Sequence, residues 1–117
     1  EDIASTPGLD GLYIGTADLT IGLNQGKLRP GFDRTEPEMI EAKKKILEIA
    51  HKHEKVACLH CGTPEYAAKA TNWGFDLVTI TNDVRLLSGA AAAHVKKFKE
   101  LTNQKTDISS ETDNSSY

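Results

Sequence analysis

Three short apolar runs, each followed by a stretch with helical periodicity, constrain this chain more than any other feature of its sequence. The runs are Gly11-Leu12-Tyr13-Ile14-Gly15, Val56-Ala57-Cys58-Leu59-His60 and Leu77-Val78-Thr79-Ile80-Thr81. Repetition of strand then amphipathic helix is the signature of βαβ units and a parallel sheet. Such a sheet wants helical cover and leaves open edges when it has only three strands. The chain has 117 residues, whereas an eight-stranded α/β barrel needs roughly 250. The expected fold is therefore α/β, a partial (β/α)8 barrel of three β-α units with parallel strands. A very small doubly wound sheet is the alternative, with little core to offer.

Local signals place the helices. Thr35-Glu36-Pro37-Glu38 opens the first long one, with Thr35 as cap, Glu38 answering three residues on and Pro37 tolerated in the first turn. Met39, Ala42, Ile46 and Ile49 then form one apolar stripe, and the helix should end near residues 51–54. Between the first strand and this helix, Gly22 to Arg34 reads as a long glycine-rich and charged loop, a type that tends to carry function. Thr63-Pro64-Glu65 starts the next helix and Gly74 stops it. Asn82 or Asp83 caps the last one, whose seam is Leu87, Ala90, His94, Phe98 and Leu101. Residues 1–101 form the expected barrel portion, and 102–117 is a polar tail expected to be disordered, with almost nothing to bury.

Fourteen basic against seventeen acidic residues give a net charge of -3, which argues against a nucleic-acid binder with a concentrated basic face. Lys43-Lys44-Lys45 and Lys96-Lys97 lie in helical patterns with acidic neighbours and read as solvated helix faces. No run approaches the roughly 18 apolar residues of a membrane span, and no basic-then-apolar leader is seen; a cytoplasmic setting is the expectation. Residue 1 is Glu and the one methionine is Met39, so the sequence reads as a fragment, a processed product or a partial record.

The chemistry concentrates where strands end, the place α/β enzymes use. Asp18 follows the first strand in Gly15-Thr16-Ala17-Asp18. It reads as a metal ligand, or alternatively as a local cap for a following turn. The small residues of that turn expose backbone amides able to bind a carboxylate or phosphate, and a hard cation shared between Asp18 and an anionic ligand suits magnesium or manganese. His60 ends the second strand at the same level; alone it reads as structural or as facing substrate. Cys58-Leu59-His60-Cys61 contains C-x-x-C, yet lacks the second ligand pair of structural zinc and the helix-start setting of redox pairs. Alternation puts Cys58 and His60 on one face and Leu59 on the other, with Cys58 read as a packing residue. His51, His53, His94 and Arg85 read as surface or packing residues.

With these residues in view, the chain resembles the HpcH/HpaI aldolase family, metal-dependent class II aldolases of 4-hydroxy-2-oxo acids. The similarity runs from Ile3 to about Leu101. It is strongest over Thr6-Pro7-Gly8-Leu9-Asp10-Gly11-Leu12-Tyr13-Ile14-Gly15-Thr16-Ala17-Asp18-Leu19, which is similar to a strand and turn ending G-P-x-D-L with Thr16 in place of proline. Pro30-Gly31-Phe32-Asp33-Arg34, Gly62-Thr63-Pro64-Glu65-Tyr66-Ala67 and residues 76–87 resemble later segments in the same order. The resemblance implies a (β/α)8 barrel and a divalent cation, Mg2+ or Mn2+, held by Asp18 and by a Glu from an earlier strand. It implies a pyruvate-like 2-oxo acid cradled by the amides of Gly15, Ala17 and Asp18, an aldehyde co-substrate, and His60 lining the pocket where many relatives carry Leu. Carbon-carbon cleavage would proceed through a metal-stabilised enolate. The catalytic His and Arg and the Glu ligand belong to earlier strands, so no catalytic residue falls in this chain and the isolated chain is expected to be inactive. A homo-oligomer packed through the last helix is also implied. A citrate lyase β-subunit-like acyl-thioester lyase and a noncatalytic assembly fragment are the alternatives.

Overall fold

The computed structural model describes residues 1–25 and 27–103. Its elements are β1 (Gly11–Ile14), α1 (Thr16–Asn24), α2 (Pro37–Lys52), β2 (Val56–His60), α3 (Pro64–Trp73), β3 (Leu77–Thr79) and α4 (Asp83–Leu101). The expected polar tail lies outside the described residues from position 104 onward. Among the described residues no helix is long and apolar enough to cross a membrane.

The strands form one parallel sheet in the order β1-β2-β3. The α/β class and the three parallel strands alternating with helices are thus as the sequence implied. Register places Leu12 beside Ala57, Ile14 beside Leu59, and Leu59 beside Val78. Because side chains alternate, these share one face, and that face carries the core. Ile14, Ala57 and Leu59 are buried with Leu47 and Ala50 of α2, Tyr66, Ala67 and Ala70 of α3, and Cys61 and Phe75. By the same register Tyr13, Cys58, His60, Leu77 and Thr79 share the opposite face, on which Tyr13 and Leu77 are exposed. Helices α2 and α3 pack on the core face, so β1 to β3 form a run of consecutive parallel β/α units.

Several boundaries differ from the sequence reading. Residues 16–24 form helix α1 where a tight turn and the start of a loop were expected, so the loop begins only after Asn24. Glu36, not Thr35, is the N-cap of α2, with no side-chain cap, and Pro37 occupies the first turn, where its missing amide hydrogen is no loss. The buried stripe of α2 is Met39, Lys43, Leu47 and Ala50, one position round from Ala42, Ile46 and Ile49. Lys43, read as solvated, is fully buried. Thr63 caps α3 by accepting from the Tyr66 amide, and Gly74 closes it at φ 110°. β3 stops at Thr79.

The chain divides into two compact units, Glu1–Thr81 and one that begins at Asn82. In the second, the Asn82 side chain caps α4 by accepting from the Arg85 amide at 2.9 Å. No residue of α4 is buried; Val84, Leu87, Val95, Phe98 and Leu101 are exposed along it. Leu87, Phe98 and Leu101 of the seam read from the sequence are thus exposed.

Candidate functional site

Parallel pairing brings the carboxyl ends of β1 and β2 to one rim. Ile14 lies beside Leu59, so the next residues along, Gly15 and His60, come opposite each other. The Thr16 hydroxyl donates to the His60 carbonyl at 3.0 Å, tying the start of α1 to the end of β2. Gly15 and the first turn of α1, which carries Ala17 and Asp18, thus start next to the end of β2 and His60.

Gly15 is the N-cap of α1, and Thr16, Ala17 and Asp18 form its first turn. The helical ladder begins with the Leu19 amide donating to the Gly15 carbonyl at 2.9 Å; the amides of residues 16–18 precede it and have no intrahelical acceptor. That is the physical basis for an anion cradle here. A carboxylate in a first turn is also favoured by the helix dipole alone, which accounts for Asp18 at this position without a ligand. Asp18 is exposed, and its Oδ2 lies 2.9 Å from where a Cβ on Gly15 would stand. A side chain at position 15 would push that oxygen aside. Among the described residues no group of three or more His, Cys, Asp or Glu side chains could hold a metal ion. Asp18 therefore fits as one hard oxygen ligand of a site that needs others from elsewhere, and does not make a site alone.

His60 is half-buried on the sheet face opposite the core. Its Nδ1 lies 2.7 Å from the Tyr13 hydroxyl and 3.0 Å from the Thr79 hydroxyl. Phe32 tilts against its ring at a centroid distance of 4.8 Å. The sequence reading missed Tyr13, Thr79 and Phe32. Alternation alone would have placed Tyr13 and Thr79 each on one face of its strand; the register that joins them to His60 was not legible.

Phe32 arrives because the loop before α2 is pinned at the rim. Asp33 accepts from the Gly62 amide at 2.7 Å and from the Thr63 hydroxyl at 2.6 Å, so its two oxygens clamp the entry to α3. Arg34 offers its carbonyl to the Tyr66 hydroxyl at 2.6 Å, and Lys43 Nζ donates to the Tyr66 oxygen at 2.8 Å and to the same carbonyl at 3.3 Å. Burial pushes Lys43 down to about 8, opposed by the nearby Asp33 charge. Burial likewise pushes the Tyr66 phenol up to about 12. The cysteines are both free thiols. It is Cys61 that is buried, its thiol pushed up by burial to about 11. Cys58, read as the packing residue, is only half-buried, on the His60 face. Neither has the depressed pKa of a reactive thiol.

No model of a known protein family matches this chain. Individual proteins do. The chain is 35% identical over 101 residues to a hydroxypyruvate/pyruvate aldolase of Rhizorhabdus wittichii, a match covering 86% of this chain and 39% of that protein. It is 31% identical over 99 residues to a hydroxypyruvate/pyruvate aldolase of Chromohalobacter salexigens, covering 85% and 37%. It is 29% identical over 100 residues to a 5-keto-4-deoxy-D-glucarate aldolase of Klebsiella pneumoniae, covering 86% and 37%. The chain is thus similar, over most of its length, to proteins named as aldolases, and spans under two fifths of their length.

Proposed function

We propose that this chain is the carboxyl-terminal part of a metal-dependent aldolase barrel that cleaves or forms 4-hydroxy-2-oxo acids. The observation that carries the reading is the junction of β1 and α1: the first turn of α1, with Asp18 and amides that lack an intrahelical acceptor, opens directly after β1, and Thr16 in that turn bonds the carbonyl of His60 at the end of β2. The similarity to aldolases over 86% of the chain supports it. The packing of α2 and α3 on one face supports the barrel reading, in which the face bearing Tyr13, His60 and Thr79 is the interior.

In this reading Asp18 supplies one carboxylate ligand to Mg2+ or Mn2+, and residues outside this chain supply the rest. The cation, when bound, polarises the carbonyl of a pyruvate-like substrate as a Lewis acid. The amides of Gly15, Ala17 and Asp18 orient the substrate carboxylate, and His60 lines the pocket toward the aldehyde portion. α4, with its exposed apolar residues, is the contact through which copies of the protein assemble. The catalytic acid-base groups lie outside the chain.

Two preparations test this: the 117-residue chain alone, and a chimera in which it replaces the matching segment of the R. wittichii aldolase. With pyruvate, a small aldehyde and Mn2+, the chain alone is expected to show no turnover and the chimera to be active. Robust turnover by the chain alone, or a folded but inactive chimera, contradicts the proposal.

A further inference from the structure

We propose that Tyr13 and Thr79 are positioning residues that hold His60 as a neutral imidazole with its proton on Nε2. His60 is thereby an uncharged hydrogen-bond donor for a carbonyl or hydroxyl oxygen of a small ligand. Two hydroxyls converge on one ring nitrogen, at 2.7 and 3.0 Å. The shorter distance is that of a hydroxyl donor and is short for a ring N–H donating to oxygen. The Thr79 hydroxyl already accepts the Cys61 amide at 3.2 Å, which leaves its own proton to donate toward Nδ1. A nitrogen whose lone pair receives these hydroxyls does not carry the ring proton, and the bond made by one nitrogen fixes the tautomer at the other.

The remaining nitrogen, Nε2, has no hydrogen-bond partner among the described residues. Phe32 braces the ring from one side, and the strand register keeps Tyr13, His60 and Thr79 on the face away from the core. An Nε2 that bears a proton has no lone pair for a cation. His60 is therefore not a metal ligand, although the helix that carries Asp18 starts next to it. Its preference is for an oxygen acceptor, so a hydroxyaldehyde, which offers a hydroxyl oxygen besides its carbonyl, should engage it more than an alkyl aldehyde does. Only this ligand class rests on the aldolase reading; the tautomer does not.

The test is long-range proton-nitrogen NMR on the full 117-residue chain labelled with 15N-histidine, at about pH 8, above the ordinary histidine range. The expected spectrum assigns His60 a pyridine-type Nδ1 and a pyrrole-type Nε2. A chain carrying both Tyr13→Phe and Thr79→Val should show a mixture of tautomers with an unchanged circular dichroism spectrum, and restoring a hydroxyl with Thr79→Ser should recover the original signature. A pyridine-type Nε2 in the unaltered chain, or a double variant with the same tautomer, overturns the proposal. Glycolaldehyde is expected to move the Nε2 resonance several-fold more than propanal at equal concentration; an equal or absent response to both overturns the assignment of the ligand. Failure of the chimera to turn over substrate would refute the aldolase reading and leave the tautomer measurement standing.

Discussion

At the scale of single residues, Lys43 is where charge and burial conflict most. Folding takes its ammonium out of water and lowers its pKa from 10.5 to about 8, so between those values the unfolded chain holds a proton that the folded chain has released. Stability therefore rises with pH there. Cys61 and Tyr66 act in the opposite sense: the folded thiol keeps its proton up to about 11 against 9.0, and the phenol up to about 12 against 10.0. Urea unfolding followed across this range should show stability climbing between about pH 8 and pH 9, with a slope on the order of 1 kcal/mol per pH unit at most, and falling at higher pH. Lys43→Met should remove the climb; a climb that survives the substitution would refute this assignment. Gly15 poses a different question. A Cβ there comes closest to Asp18 Oδ2, the end of a flexible side chain. Gly15→Ala is expected to cost under about 1 kcal/mol in stability while weakening Mn2+ binding in the chimera, measured by calorimetry; unchanged affinity would show that the carboxylate does not grip the ion from where it stands.

At the scale of elements, glycines separate positions that need no side chain from positions that merely lack one. A Cβ on Gly11 would stand 2.6 Å from the Val56 carbonyl oxygen, in the β1–β2 pairing itself, whereas one on Gly22 in α1 meets nothing within 4 Å. Gly11→Ala should therefore destabilise the chain by about 1–3 kcal/mol, and Gly22→Ala should stabilise it by roughly 0.5–1 kcal/mol. Paired denaturant titrations check both signs. The three strands, α2, α3 and α4 were legible in the sequence because each has a period or a cap: Thr63 and Gly74 bracket α3, and Asn82 opens α4. α1 was not legible because its polarity is inverted. It buries Thr16 and Thr20 and exposes Ile21 and Leu23, and the Thr20 hydroxyl is satisfied within the helix by the Thr16 carbonyl at 2.8 Å. Lys43 misled for the same reason, since its partners Tyr66 and Arg34 lie on other segments and are not local in sequence.

For the whole molecule, the candidate site was partly readable. His60 could be placed at the end of its strand from local pattern, and parallel pairing then puts it opposite Gly15, the residue before the helix that carries Asp18. The partners of His60 come from β1, β3 and the loop before α2, and depend on register that no local pattern encodes. The central claim concerns Asp18 as the ligand this chain brings to a shared cation. The most direct measurement is Mn2+ affinity by electron paramagnetic resonance in the chimera, with Asp18 intact and with Asp18→Ala. Affinity is predicted to fall by more than the roughly 10–100-fold that loss of an outer partner costs, with the fold retained; equal affinity in the two proteins would contradict the account.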